Sequence, residues 1–90
     1  MNRYIEISKK LKAMAHPVRM NMVAGLIEDE CNVSMIQKKL RIPQSTISQH
    51  LRVLESAGII KGRREKTKVC YQVINDIAKE IIRLLEKEKA

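Results

Sequence analysis

Aromatic residues are nearly absent from this 90-residue chain, which has no Trp, no Phe and two Tyr. Any core must therefore be aliphatic, and a chain of this length has room for one domain, which we take to span residues 1–90. Three Gly leave little to cradle a nucleotide, and no Ser-His-Asp set, catalytic carboxylate pair or HExxH motif is present, so we expect no enzyme and no cofactor. No stretch resembles a signal peptide or a membrane span, which predicts a soluble cytoplasmic protein.

Positive charge is the clearest excess, because 18 Lys and Arg against 10 Asp and Glu give a formal net charge of +8. Residues 61–68, KGRREKTK, hold five positive charges and one negative charge. This segment therefore supplies half of the net charge of the chain. A domain this basic is typical of proteins that bind nucleic acid. The basic segment is not an amphipathic helix, so it does not indicate binding to lipid.

Apolar spacing predicts four helices before the basic segment. The first ends near His16, because Pro17 disfavours a helical conformation in the residue before it, and Pro17 opens the second helix. Ser34 is the expected N-cap of a short third helix over residues 35–40. The fourth begins at Gln44 and is expected to end with Gly58 as its C′ residue.

A hairpin is predicted next, from Ile59-Ile60 and from the alternating residues 67–73, with Val69, Tyr71 and Val73 pointing inwards. The basic segment is expected to form its tip.

The last helix, from Asp76, has two adjacent apolar rows, more than a small monomer needs. With the apolar stripe of the first helix, these rows predict a homodimer joined through terminal helices over residues 2–15 and 76–89. The expected interface residues are Tyr4, Ile7, Leu11, Ile77, Ile81, Leu84 and Leu85.

Residues 34–57 show the helix-turn-helix pattern, in which a short helix and a tight turn precede a helix with an apolar inner face and a polar outer face. An ordinary solvated face would more often carry Glu and Lys pairs, whereas Gln, Ser, Thr and Arg can reach base edges in the major groove. Basic residues on a following wing, residues 59–73, would hold phosphates. The expected DNA contacts are Gln44, Ser45, Thr46, Ser48, Gln49 and Arg52 on the helix, and Arg63, Arg64, Lys66 and Lys68 on the wing.

The run from Ser45 through Ser48, Gln49, His50 and Leu51 to Leu54, followed by Ala57-Gly58 and a basic hairpin ending at Tyr71, resembles the ArsR/SmtB-type repressors. AMAHPVR, residues 13–19, resembles the entry to the second helix of that family. The resemblance implies a mainly helical winged helix-turn-helix fold with a small β-hairpin, a homodimer joined through its first and last helices, and repression relieved by an effector.

The metal sites of that family are not matched here. Arsenic-sensing members carry a Cys-x-Cys cluster at the start of the third helix, whereas this chain has a single displaced Cys31. Zinc, cobalt and nickel sensors place Asp and His ligands on the last helix, and residues 75–90 contain no His. His16 and His50 lack neighbouring ligands, so we expect them to be structural and expect no metal.

Cys31 and Cys70 form neither a disulfide framework nor a zinc motif, and they suit a reducing compartment. Strand parity predicts that their side chains leave opposite faces and stay unbonded, with Cys31 buried and Cys70 exposed beside Lys68. Either Cys could still act as a thiol switch, Cys70 being the better placed. The alternatives left open are a thiol-sensing repressor, a repressor without ligand, and a winged-helix module that binds protein or RNA.

Overall fold

The computed structural model describes residues 2–88 of the chain. Its elements are α1 (Asn2–Met14), α2 (Pro17–Glu28), α3 (Val33–Leu40), α4 (Gln44–Ser56), β1 (Ile60–Glu65), β2 (Lys68–Val73) and α5 (Asp76–Glu88). The two strands form one antiparallel sheet in which Ile60 lies opposite Val73 and Glu65 opposite Lys68. This is the winged helix-turn-helix architecture that the sequence predicts. Residue 89, the predicted end of the last helix, lies outside the described residues.

A single aliphatic core joins all the elements. It includes Leu26 of α2 and Leu54 of α4, both fully buried, and Ile60 at the start of β1. On α5, Ala78 and Ile82 are buried in this core and Ile81 packs against it. Ile77, Leu84 and Leu85 stay exposed at the surface of the chain.

The ends of α2 and α3 are set by the residues before them. His16 is the N-cap of α2, and its Nδ1 accepts a hydrogen bond from the amide of Val18 at 3.1 Å. The prediction of Ser34 as N-cap of α3 is wrong, because that helix begins at Val33 and Ser34 lies inside it. The first helical hydrogen bond runs from the Ile36 amide to the Asn32 carbonyl at 3.0 Å, which makes Asn32 the N-cap.

Gly58 ends α4 in the left-handed conformation, with φ of +78°. Its amide donates to Glu55 O, and the amide of Ile59 donates back to Leu54 O, each at 3.0 Å. These two bonds are those of a Schellman motif, and they confirm the predicted C′ role of Gly58. Lys10 Nζ of α1 donates to the Ala57 carbonyl at 3.0 Å and so caps the same helix end.

The basic segment is mostly strand, not a tip. β1 extends to Glu65 and β2 begins at Lys68, so the turn holds only Lys66 and Thr67. The cross-strand ladder is formed by backbone groups, and charged side chains can stand on a sheet as long as they reach water. Basic residues therefore do not exclude a strand here.

Candidate nucleic-acid interface

The outer face of α4 is polar and open. Its helical period places Ile47, Leu51 and Leu54 in the core, which leaves the residues between them outside. Exposed on that outer face are Gln44, Ser45, Ser48, Gln49 and Arg52, whereas Thr46 is half-buried. The helix begins after Pro43, and no side chain accepts a hydrogen bond from the amides of its first turn.

Three of the four predicted wing cations, Arg64, Lys66 and Lys68, are exposed and form no ion pair within the described chain. Lys66 lies at the turn with φ of +56°. These three cations are therefore available to bind an anionic partner. They lie on the hairpin that follows α4 directly.

Arg63 differs from the other wing cations because two carboxylates engage it. Its Nη1 lies 2.5 Å from Glu30 Oε1 and its Nε lies 2.9 Å from Glu65 Oε1. The hydrogen bonds to Glu30 and then to Glu65 raise the pKa of Arg63 further. Arg63 therefore fixes the wing to the segment between α2 and α3.

Two further hydrogen bonds fix the wing, and sequence reasoning missed both of their acceptors. The Tyr71 amide donates to Glu30 O at 2.7 Å, and the Gly62 amide donates to Glu55 Oε2 at 3.1 Å. Gly62 is needed because an added Cβ would lie 2.9 Å from Cε1 of the Tyr71 ring. Burial, with the nearby carboxylate of Glu55, raises the pKa of Tyr71. The acidic run at residues 28–30 is a sequence signal for the ion pair of Glu30 with Arg63, but it does not indicate these two hydrogen bonds.

The prediction for the two cysteines is wrong. Cys31 and Cys70 form a disulfide, and Cys70 is fully buried instead of exposed beside Lys68. The strand does alternate, since Cys70 shares a face with Arg63 and Tyr71 shares the other face with Gly62. The predicted inward face is buried only at its end, because Val73 is buried, Tyr71 is half-buried and Val69 is exposed. The α2–α3 loop, however, lies along the free edge of β2, where Glu30 O accepts a hydrogen bond from the Tyr71 amide. Cys31 lies in the turn of that loop, where strand parity does not apply.

His16 and His50 are structural in this fold. Their rings lie 4.6 Å apart. Arg19 of α2 donates to Ala13 O of α1 at 2.5 Å and to His50 Nδ1 of α4 at 3.3 Å. Burial first, and then the nearby His16 and Arg19, lower the pKa of His50. The neutral ring is the form that accepts the hydrogen bond from Arg19. This contact anchors the middle of α4 to the junction of α1 and α2.

The terminal helices carry an uncovered apolar surface. Of the predicted interface residues, Ile7 and Ile81 are half-buried, and Ile81 packs on the core. The other predicted interface residues are exposed: Tyr4, Leu11, Ile77, Leu84 and Leu85. Ile5 and Ile74, which sequence reasoning did not include, are exposed as well.

Among residues 2–88 no three His, Cys, Asp or Glu side chains are grouped so that they could hold a metal ion. Within the same residues, no helix is both long enough and apolar enough to cross a membrane.

Comparison with known protein families gives a match to the family described as "Helix-turn-helix domain", over residues 14–63. The match covers the end of α1, the helices α2 to α4 and the first part of β1.

Three transcriptional regulators are similar in sequence. The biofilm growth-associated repressor of Agrobacterium fabrum is 39% identical over 83 residues, which are 92% of this chain and 71% of that protein. An uncharacterised HTH-type transcriptional regulator of Methanocaldococcus jannaschii is 38% identical over 88 residues, covering 97% of this chain and 99% of that protein. The repressor SmtB of Mycobacterium tuberculosis is 38% identical over 63 residues, covering 70% of this chain and 47% of that protein.

Among solved structures, reduced HlyU from Vibrio cholerae superposes with a TM-score of 0.86 at 30% identity. The superposition covers 96% of this chain and 90% of HlyU. The similarity therefore includes the terminal helices as well as the helix-turn-helix.

Proposed function

Because the chain belongs to the helix-turn-helix domain family and, within it, to the ArsR/SmtB-type transcriptional regulators, we propose that it represses transcription by binding an operator in duplex DNA. The observation that carries the proposal is the exposed polar face of α4 beside three unpaired wing cations. In this proposal α4 enters the major groove, where Gln49 and Arg52 read base edges, and Lys66 and Lys68 hold phosphates. The protein would act in the cytoplasm, where the operator DNA lies, and without catalysing a reaction.

The proposed active form is a homodimer. The exposed apolar residues of α1 and α5 support it, because a surface of this kind is costly to leave in water on so small a protein. Two-fold symmetry then requires an operator that is an imperfect inverted repeat, with half-sites about one helical turn apart. Sedimentation of the wild type should give a dimer, and Leu84→Glu with Leu85→Glu should give a folded monomer. A dimer that survives both charges would contradict this interface.

The roles of α4 and the wing can be tested on an operator selected from a randomised duplex library. Gln49→Ala should lose about 1 to 3 kcal/mol on the preferred sequence and little on unrelated DNA, because it removes a base contact. Lys66→Ala should weaken all sequences equally and reduce the salt slope by about 1. Equal losses on every sequence for Gln49→Ala would contradict base reading. Binding without sequence preference or salt dependence would instead favour a protein or RNA module.

A second candidate function is thiol-based regulation, and the Cys31–Cys70 disulfide favours it. The bond joins the segment that leads into α3 to the strand that holds the wing, so its state would affect how the wing sits beside α4. Reduction by a dithiol would break the bond, give two thiols and convert the dithiol to its own disulfide. HlyU, one of the structural relatives, is described in a reduced form.

Operator affinity with and without dithiothreitol tests this second function. The wild type should change affinity on reduction, whereas Cys31→Ser with Cys70→Ser should have one affinity in both conditions. Zinc, cobalt, nickel and arsenite should leave binding unchanged, since the family's metal ligands are not matched. Equal affinity of oxidised and reduced wild type would make the disulfide structural only and would favour a repressor without ligand.

A further inference from the structure

A second basic surface lies between α1 and α4, away from the wing. An open cleft of about 760 Å³ is lined there by Lys9 and Lys12 of α1, Arg19 of α2 and Arg52 of α4. The remaining lining residues are neutral: Ala13, Gln49, Val53, Ser56 and Ala57. Four cations thus share a cleft with no carboxylate in its lining.

The cations of this α1–α4 cleft are available to a ligand. Lys12 and Arg52 are exposed and form no ion pair within residues 2–88. Lys9 has one partner, Glu6, at 3.5 Å, and both side chains of that pair are about two-thirds exposed, so the pair is weak and easily exchanged. Arg19 is held in place by Ala13 O and His50. The cleft therefore combines one fixed cation with three adjustable ones.

The position of the cleft on α4 indicates its ligand. One edge of the outer face of α4, at Gln44 and Ser48, lines a cleft shared with Lys68 of the wing. Further round the helix, Gln49 and Val53 line the α1–α4 cleft, and Arg52 lies between the two sides. A helix in the major groove lies between two sugar-phosphate backbones, because the groove is about 12 Å wide. The wing would contact one sugar-phosphate backbone. The cations of the cleft lie on the side of α4 where the second backbone would pass.

We infer that the α1–α4 cleft binds phosphates of the operator on the groove edge opposite the wing, through Lys9 and Lys12 of α1. This inference rests on the proposed function, and it assigns Lys9, Lys12 and Arg19 a part that sequence reasoning did not give them. Arg19 is a positioning residue that keeps the floor of the cleft cationic. Charge complementarity and continuity with the groove-facing side chains select DNA over other anionic partners.

The test uses a double variant of α1 that carries both Lys9→Gln and Lys12→Gln. Its control, with an equal change of charge, is a double variant of α5 that carries both Lys79→Gln and Lys87→Gln. Both pairs are exposed, so all variants should keep the wild-type melting temperature. The α1 pair should lower operator affinity several-fold at moderate salt and reduce the slope of log K against log salt by about 1.8, because each lost phosphate contact removes about 0.9. The α5 pair should change the slope much less.

Ethylation interference locates the contacts on the DNA. Ethylated phosphates on the groove edge away from the wing should inhibit the wild type but not the α1 pair, whereas Lys66→Gln should lose interference at phosphates on the other edge. Equal slopes for the α1 and α5 pairs, or unchanged interference, would overturn the inference while wild-type operator binding still stands. Failure of the wild type itself to prefer an operator would be a failure of the proposed function.

Discussion

The helical part of the molecule and the wing are held in different ways. The helices bury Leu26, Ile47 and Leu54 in one continuous aliphatic core. The wing contributes Ile60 and Val73 to this core, and the half-buried Tyr71 packs against it. Beyond these residues the wing is held by specific ties: the disulfide, the hydrogen bonds of Tyr71 and Gly62, and the ion pair of Arg63. Apolar packing depends on many small contacts, whereas each tie depends on one pair of groups. The helix-turn-helix should therefore be robust, and the position of the wing should depend on few atoms.

The largest loss is expected from Leu54→Ala, because the side chain is fully buried between α4 and the rest of the core. Truncating a buried Leu costs about 2 to 5 kcal/mol of unfolding free energy. Val53→Ala is the matched control, since Val53 is 40% exposed on the same helix and should cost far less. Urea unfolding at one fixed protein concentration measures both. Equal losses would mean that packing does not dominate in the helical part.

Reduction of the disulfide is expected to lower the free energy of unfolding by about 2 to 4 kcal/mol. The bond closes a long loop and so lowers the conformational entropy of the unfolded chain, and reduction restores that entropy. Unfolding in urea with and without dithiothreitol measures this difference, and Cys31→Ser with Cys70→Ser should not respond to dithiothreitol. Hydrogen exchange sharpens the comparison, because the amide of Tyr71 should lose more protection than the amide of Leu54. A uniform loss over both regions would contradict the separate attachment of the wing.

Gly58 joins the two regions, and Gly58→Ala should cost about 1 to 2 kcal/mol because the left-handed conformation is unfavourable for a residue with Cβ. Space is not the obstacle, since the nearest atom to the added Cβ is the flexible Lys10 Nζ at 3.4 Å. Gly58→Asn should cost less, because Asn tolerates this conformation better. Thermal unfolding ranks the three proteins, and an Ala variant as stable as the wild type would exclude strain at this link.

The smallest effect is expected from Glu30→Gln, which removes the charge that pairs with Arg63 but keeps the Glu30 carbonyl that accepts from Tyr71. The pair is exposed, so its loss should cost the least of these changes, and the difference from wild type should shrink in high salt. Glu6→Gln, which removes a similar exposed pair on α1, is the control. A loss of several kcal/mol would mean that the ion pair, not the disulfide, dominates the attachment of the wing.

Much of the fold follows from local patterns. The inner face of α4, the Pro17 start of α2 and the Gly58 end of α4 are each fixed by residues within one or two helical turns, and the structure agrees with all three. The sequence does not distinguish Asn32 from Ser34 as the N-cap of α3, because both are good capping residues and only the hydrogen bond from Ile36 identifies Asn32. Nor does it indicate the full length of β1, because a run of basic residues has no apolar alternation typical of a strand.

The sequence by itself determined the helix-turn-helix, the polar outer face of α4 and the concentration of charge on the hairpin, because these depend on residue types at short, regular spacings. Only the tertiary structure decided that Cys31 bonds to Cys70 and that Glu30 holds the wing. Both depend on a loop that lies along the free edge of β2, and strand parity describes the strand but not the turn beside it. The α1–α4 cleft was likewise beyond the sequence, because Lys9, Lys12, Arg19 and Arg52 lie on three helices that only folding brings together.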